Sequence, residues 1–408
     1  MANKLYEEQD IQNIANSIRK KNNKNTTYKV SEMAAAINKL KSYPKAYKDV
    51  NFIDYDGTIL YSYTASQALA LTQLPDNPVH EGLTSQGWNW DLSDIQSYVS
   101  AYGSLNIGQM YITDDRTTRL YIRVGKERKI VPLCFKQSVD RGVQVDWGDG
   151  SYTQTFNGTT SKILTTHTYS ASGDYVIKLK PTNTCTLIIG GGDSQYCVLG
   201  ESISSNLVYQ NMLLKVETGE NVVISDYAFQ NCYSLSEITL PQYMETVGSA
   251  AFSYCFSLLS ITLPKLFTSI SSAALRYCYR LLNVIAPKNI TTVENYAFQN
   301  CNALSNTLVL TQATSVGASA FRNCQSISKI IVSKDIDNIP AYAFAGCYGL
   351  KICDFSNHTQ VPTMATTNAF SGILSDCQII VPDSLYSAWI SATNWSTYAG
   401  NIVKASEV

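Results

Sequence analysis

Ala-Phe-x-x-Cys recurs every 23 residues through the C-terminal half of the chain. The alanines are Ala228, Ala251, Ala274, Ala297, Ala320 and Ala343. Phe229, Phe252, Leu275, Phe298, Phe321 and Phe344 follow them, and Cys232, Cys255, Cys278, Cys301, Cys324 and Cys347 close each motif. A fixed period of about 20–50 residues marks a solenoid, because one such unit cannot bury its apolar face alone and must stack on the next. Leu235, Ile238 and Leu240 return as Leu258, Ile261 and Leu263, while Val247 returns as Ile270, Val293, Val316 and Ile339. The repeat strand thus reads Leu-x-x-Ile-x-Leu, with Glu237 and Thr239 pointing outwards. In the fourth repeat, LSNTLVLTQ is offset by about one residue, which predicts a bulge. Solenoids present long regular surfaces, so binding rather than catalysis is the expected function.

The ladder cysteines occupy one repeat position and are expected as a reduced, buried stack, since Cys behaves as a small apolar side chain with a weak donor. No Cys-x-x-Cys pair occurs and the histidines are His80, His167 and His358, so neither a metal site nor a cofactor is expected. A formal charge of −1 with 15% charged residues offers no basic field for nucleic acid or an anionic membrane. No run reaches the roughly 20 apolar residues of a transmembrane helix. MANKLYEEQD lacks the basic-then-apolar pattern of a secretory signal, so an extracellular role is expected to be reached without the ordinary export route. The 27 tyrosines suit a recognition surface, and strand propensity accounts for them equally well.

The chain reads as a multidomain α+β protein. Residues 1–48 predict two short helices, on Ile11, Ile14, Ala15 and Ile18 and on Val30, Met33, Ala34 and Ile37, with Thr27 or Ser31 as caps. They are too small to be stable alone and are expected to attach to a partner or to copies of themselves. Residues 49–125 predict a small α+β module that opens with a strand turning at Asp56-Gly57. Residues 126–200 predict a β-sandwich, residues 201–378 the solenoid, and residues 379–408 a cap. The cap is expected to begin at Pro382-Asp383-Ser384 and to cover the last turn with Leu385, Trp389 and Trp395.

Three stretches resemble known families. Trp147-Gly148-Asp149-Gly150-Ser151, followed by His167-Thr168-Tyr169 and Gly173-Asp174-Tyr175-Val176-Ile177, resembles a PKD domain, which implies an immunoglobulin-like sandwich acting as a spacer or weak adhesion module. From the residues alone, Asp149 caps its own turn and Gly150 supplies a positive φ; Asp146 and Asp149 are also oxygen ligands that calcium could use. Val316-Gly-Ala-Ser-Ala-Phe321-Arg-Asn-Cys324 and its images resemble the BspA-type leucine-rich repeat over about 170 residues. Phe52-Ile53-Asp54-Tyr55-Asp56-Gly57-Thr58 resembles the first motif of haloacid-dehalogenase phosphatases, which implies Asp54 as nucleophile and Asp56 as acid with Mg²⁺. The same residues read equally as a hairpin turn with no chemistry, and the downstream acidic pair of that family is missing, so no enzyme is expected.

Ile14-Ala15-Asn16-Ser17-Ile18-Arg19-Lys20-Lys21, Tyr28-Lys29-Val30-Ser31-Glu32-Met33 and the Gly87-Trp88-Asn89-Trp90 segment are similar to tailed-phage tail proteins. That resemblance implies a baseplate or tail-tip receptor-binding protein of the virion, assembled in the host cytoplasm. Residues 1–48 would hold other tail proteins, the array would meet a bacterial surface glycan or protein, and the assembly would be a homotrimer. The alternative is a bacterial surface adhesin of the BspA type. Candidate receptor contacts are the aromatics after the cysteines, Tyr233, Phe256, Tyr279 and Tyr348, which would equally pack between turns. Glu237, Thr239, Ser260, Thr262, Asn283 and Lys329 on the outward strand face are the other candidates.

Overall fold

The structure is a computed structural model that describes residues 49–192, 196–200, 211–305 and 308–408. The helices expected over residues 1–48 lie outside the described residues.

Residues 49–113 form a four-stranded sheet with two helices. The strands are β1 (Val50–Ile53), β2 (Ile59–Tyr63), β3 (Leu83–Trp88) and β4 (Leu105–Thr113), in the order β2-β1-β4-β3. β1 and β4 are parallel and the other pairs antiparallel. Helix α1 (Ala65–Leu69) starts at a capping box on Thr64 and Gln67, and α2 (Leu92–Tyr102) ends at Gly103 in the left-handed region. Phe52, Trp88, Ile95, Val99 and Ile107 form the core beneath these helices. The β1–β2 turn falls at Asp56-Gly57, with Gly57 at φ +90.

Two facing sheets follow. One holds β5 (Thr118–Val124), β7 (Val143–Asp146), β8 (Gln154–Thr155) and β10 (Gly173–Pro181); the other holds β6 (Ile130–Gln137), β9 (Ile163–Thr168) and β11 (Leu187–Ile189). Thr118–Val124, which the sequence placed at the end of the first module, instead pairs antiparallel with β10 over seven residues. A strand's own residues do not say which neighbour will pair with it. Trp147 lies at the centre of the core, with His167 stacked on it at 4.8 Å and the Tyr169 hydroxyl donating to its carbonyl at 2.8 Å. His167 Nε2 in turn lies 2.7 Å from Asp149.

Both sheets run on into the solenoid. β12 (Leu213–Glu217) pairs antiparallel with β5 and parallel with β14 (Glu237–Ile238), while β13 (Val222–Ile224) pairs parallel with β11. One apolar core therefore extends from Leu120 to Ile402. The two facing sheets are fused to the array by shared strand pairings and a shared core.

In the array most repeats contribute a short strand to each of two faces, with the Ala-Phe-x-x-Cys segment between them. Parallel pairs such as Ser260↔Asn283 and Ser269↔Thr292 keep the 23-residue register. The fourth repeat departs from it: Leu308 pairs with Ile330, 22 residues on, which is the offset expected from its sequence. Ser260–Thr262 pairs in parallel with Asn283–Ile285, and Leu308–Leu310 with Lys329–Val332.

Inside the array, rings stack as Phe229–Phe252 and as Phe298–Phe321–Phe344–Phe370, interrupted where Leu275 replaces Phe. From Cys255 to Cys347 each ladder thiol donates to the carbonyl of the preceding repeat, as in Cys255 to Phe229 at 3.3 Å, Cys301 to Leu275 at 3.0 Å and Cys324 to Phe298 at 3.1 Å. All eleven cysteines are buried. At the far end Trp389 and Trp395 pack on Phe355. Ile402–Lys404, which the sequence reading missed, adds a last parallel strand to Gln378–Val381.

Candidate functional site

Two residues in each repeat adopt the left-handed conformation. One precedes the alanine: Tyr227, Ala250, Ala273, Tyr296, Ser319 and Tyr342. The other precedes the cysteine: Asn231, Tyr254, Tyr277, Asn300, Asn323 and Gly346. The turn is required because it aims the amide along the array axis, as in Tyr254 N–H to the Arg276 carbonyl and Asn300 N–H to the Arg322 carbonyl, each 2.8 Å. For most L-residues that conformation costs about 1–2 kcal/mol, and Gly or Asn lessens the cost. Before the cysteine the array uses Asn or Gly in four of six repeats, yet Tyr254 and Tyr277 stand in the other two.

Those two tyrosines stack at 4.4 Å. Beside them runs a second column, Tyr233 on Phe256 at 4.7 Å and Phe256 on Tyr279 at 5.1 Å. The columns meet edge to face, Tyr254 with Phe256 and Tyr277 with Tyr279. Arg276 lies 4.8 Å over Tyr277 and 5.2 Å over Tyr296, extending the surface by a cation–π pair. Tyr279 and Tyr296 are 39% and 40% exposed. Burial raises the Tyr233 and Tyr254 hydroxyl pKa values further above their ordinary 10.0, so these groups stay neutral donors at physiological pH.

Three of the expected aromatic contacts, Tyr233, Phe256 and Tyr279, are thus brought together. Tyr348 is not: Asn302 and Gln325 occupy the intervening positions, and Tyr348 stands alone, 53% exposed, against Gly372. Sequence reasoning missed Tyr254, Tyr277, Arg276 and Tyr296, although the 23-residue period applied to the residue before each cysteine would have exposed the first two.

The outward strand face needs correction. Thr239 and Thr262 are buried, 2% and 7% exposed, and Ser260 is buried as well. Thr239 is bonded to Thr218, whose hydroxyl donates to its carbonyl at 2.9 Å. Ser260 and Thr262 are covered by the 49–113 unit, which packs β4 against them: a Cβ on Gly108 would fall 2.3 Å from the Thr262 hydroxyl oxygen. Asn89 donates to the Leu263 and Ile285 carbonyls at 3.2 Å, and the Trp90 indole to that of Ala286 at 2.9 Å. Lys265–Asp91 and Lys288–Asp94 pair across the same seam at 2.7 and 2.6 Å. Glu237 is half-buried, 3.7 Å from Lys215, and Lys329 is half-buried on its strand. The strand side of the first repeats is an internal seam, so the aromatic grid is the better candidate for an outside partner.

Asp54 and Asp56 sit in the hairpin. Asp56 accepts from Thr58 N–H at 2.8 Å as a turn cap, and buried Asp54 lies 2.8 Å from His80 Nε2. Because β1 returns directly as antiparallel β2, this loop has the geometry of a hairpin turn.

The family profile described as "BspA type Leucine rich repeat region" matches six copies, over residues 222–351 and 268–388. No curated protein matches the chain. Among solved structures, a leucine rich repeat protein of T. pallidum shares 20% identity at a TM-score of 0.36, covering 50% of this chain and 86% of that one. A leucine-rich repeat protein of Bacteroides ovatus shares 20% at 0.22, covering 47% and 65%. A leucine rich cell surface protein of Faecalibacterium prausnitzii shares 20% at 0.24, covering 63% and 94%. Residues 222–388 of this chain thus match the BspA-type leucine-rich repeat and fold as a repeat solenoid.

Proposed function

We propose that this chain is an adhesin-type binding protein of a bacterial surface, and that it grips a protein partner through the grid of Tyr233, Tyr254, Phe256, Tyr277 and Tyr279. BspA-type repeats are the repeats of adhesin-like surface proteins, and the comparisons favour that reading over a phage tail protein. The observation that carries the site is the pair Tyr254 and Tyr277, held left-handed where the other repeats use Asn or Gly. Strained backbone retained at a surface cluster is what a functional constraint produces. The rings stack face on face, so they offer edges and hydroxyls to the outside rather than open faces. That geometry suits a protein surface, where stiff amphipathic side chains bind at low entropic cost, better than a sugar ring that needs a free face. The proposal assigns no catalysis to Asp54 and Asp56 and needs no cofactor.

A phage tail protein attached through residues 1–48, with a trimeric virion form and a PKD-like spacer, keeps only the sequence motifs described above in its favour. The test is binding of the full chain to immobilised collagen, fibronectin, laminin and purified bacterial walls. Saturable binding to a protein is expected, weakened about 30-fold by Tyr279→Ala, the loss of about 2 kcal/mol that marks a hot spot. Binding to walls alone, unchanged in Tyr279→Ala, would contradict the proposal.

A further inference from the structure

A cleft of about 340 Å³ opens where the 49–113 unit docks on the third and fourth repeats. Two departures from the repeat rule coincide there. Leu275 replaces the ladder Phe, so Phe298 stacks on Phe321 and, among the described residues, has no ring on its other side. The one-residue slip of register at Leu308–Leu310 falls at the same place.

The lining sets the chemistry. Trp90, Leu282 and Ile290 supply apolar wall, and the amides of Asn106, Asn283 and Gln312 supply polar groups. The charged residues at the rim are already engaged: Asp49 accepts from Ala65 N–H at 2.8 Å, and Lys288 pairs with Asp94 at 2.6 Å. Among the described residues the Asn283 and Gln312 side chains make no hydrogen bond, which leaves neutral donors and acceptors facing an apolar wall. A charged ligand would have to compete with the Lys288–Asp94 pair, and a purely apolar one would strip water from the amides without replacing their bonds. The volume lies near the lower end of the roughly 300–1,000 Å³ of small-molecule sites.

We propose that this cleft is a binding site for a neutral saccharide of one or two rings, separate from the aromatic grid. The hydroxyls would bond the amides while the apolar face of the ring lies on the Trp90 and Leu282 wall.

The test is saturation-transfer NMR and calorimetry on the full chain, using glucose, galactose, N-acetylglucosamine, cellobiose and N,N′-diacetylchitobiose, with 1-hexanol and inorganic phosphate as controls. At least one sugar is expected to bind, with affinity lowered about tenfold or more by Asn283→Leu and separately by Gln312→Leu, and unchanged by Tyr279→Ala. Gln312 is exposed, so Gln312→Leu preserves the fold and keeps the test decisive should Asn283→Leu disturb it. The proposal is overturned if no sugar binds, if hexanol or phosphate binds in their place, or if sugar binding survives both substitutions or is abolished by Tyr279→Ala.

Discussion

Between pH 9 and pH 10 the six ladder thiols alone should cost the array about 6 kcal/mol of stability. Burial raises the pKa of Cys232, Cys255, Cys301 and Cys324 well above the ordinary 9.0, and pushes Cys278 and Cys347 up to about 12. Below the unfolded pKa both states keep the proton and stability does not depend on pH through these groups. Above it the unfolded chain releases protons that the folded array retains, so each thiol draws the equilibrium towards unfolding by about 1.4 kcal/mol per pH unit until its folded pKa is reached. No solvent screening reduces this, because the six thiols are fully buried, five of them bonded to backbone carbonyls and Cys232 to Cys197. Urea midpoints measured under reductant at pH 8, 9, 9.5 and 10 check it. Cys324→Ala should remove one thiol's share of that loss, about 1 kcal/mol over the interval, at a separate cost in packing. A midpoint independent of pH up to 10 would mean that the thiols ionise in place and that the ladder is not a sealed core.

The second large effect is at Gly108. Replacing it with Val places a Cβ 2.3 Å from Thr262 Oγ1 and 2.4 Å from its Cγ2, on a buried sheet-to-sheet contact. Overpacking of this kind costs about 1–3 kcal/mol where the surroundings can yield. Here yielding means lifting β4 off the array, with loss of the Asn89 and Trp90 bonds and both Lys–Asp pairs. Gly108→Val should therefore undock residues 49–113 while the repeats stay folded. Trypsin should cleave near Arg119 within the time that leaves the wild type intact, and Trp90, 5% exposed when docked, should shift its emission to the red. Thr262→Ala in the same chain should restore part of the docking. Unchanged protease resistance and emission would show that the seam is not the close contact described.

These two results depend on features of unequal visibility in the sequence. The thiol ladder, its register, the fourth-repeat slip and the Trp389–Trp395 cap follow from a strict period, since each residue's environment is copied from the repeat before it. The seam has no such signal. Thr239 and Thr262 do point away from the solenoid core, as their alternation requires, but residues well over 100 positions earlier fold back over Thr262 and nothing local announces them. Gly87-Trp88-Asn89-Trp90 was recognisable as a motif. Its physical role, Trp88 inwards against Phe52 and Asn89 with Trp90 on the array, emerges only once the two units are in contact. Thr118–Val124 was assigned to the wrong neighbour for the same reason. The grid lay between these extremes: the column after the cysteine was read, while the column before it required knowing which positions are left-handed.

The most direct test of the binding proposal is the double variant Tyr254→Asn/Tyr277→Asn, in which the array receives the residue it already uses at Asn231, Asn300 and Asn323. Relief of left-handed strain, about 1–2 kcal/mol per residue at most, offsets lost stacking of about 0.5–1.5 kcal/mol per ring pair. If the rings serve a partner, the melting temperature should stay within a few degrees of wild type while binding to the protein ligand falls at least about 30-fold. If instead the variant melts far lower and whatever it binds is bound as before, the tyrosines are packing between turns, and the site assigned here is wrong.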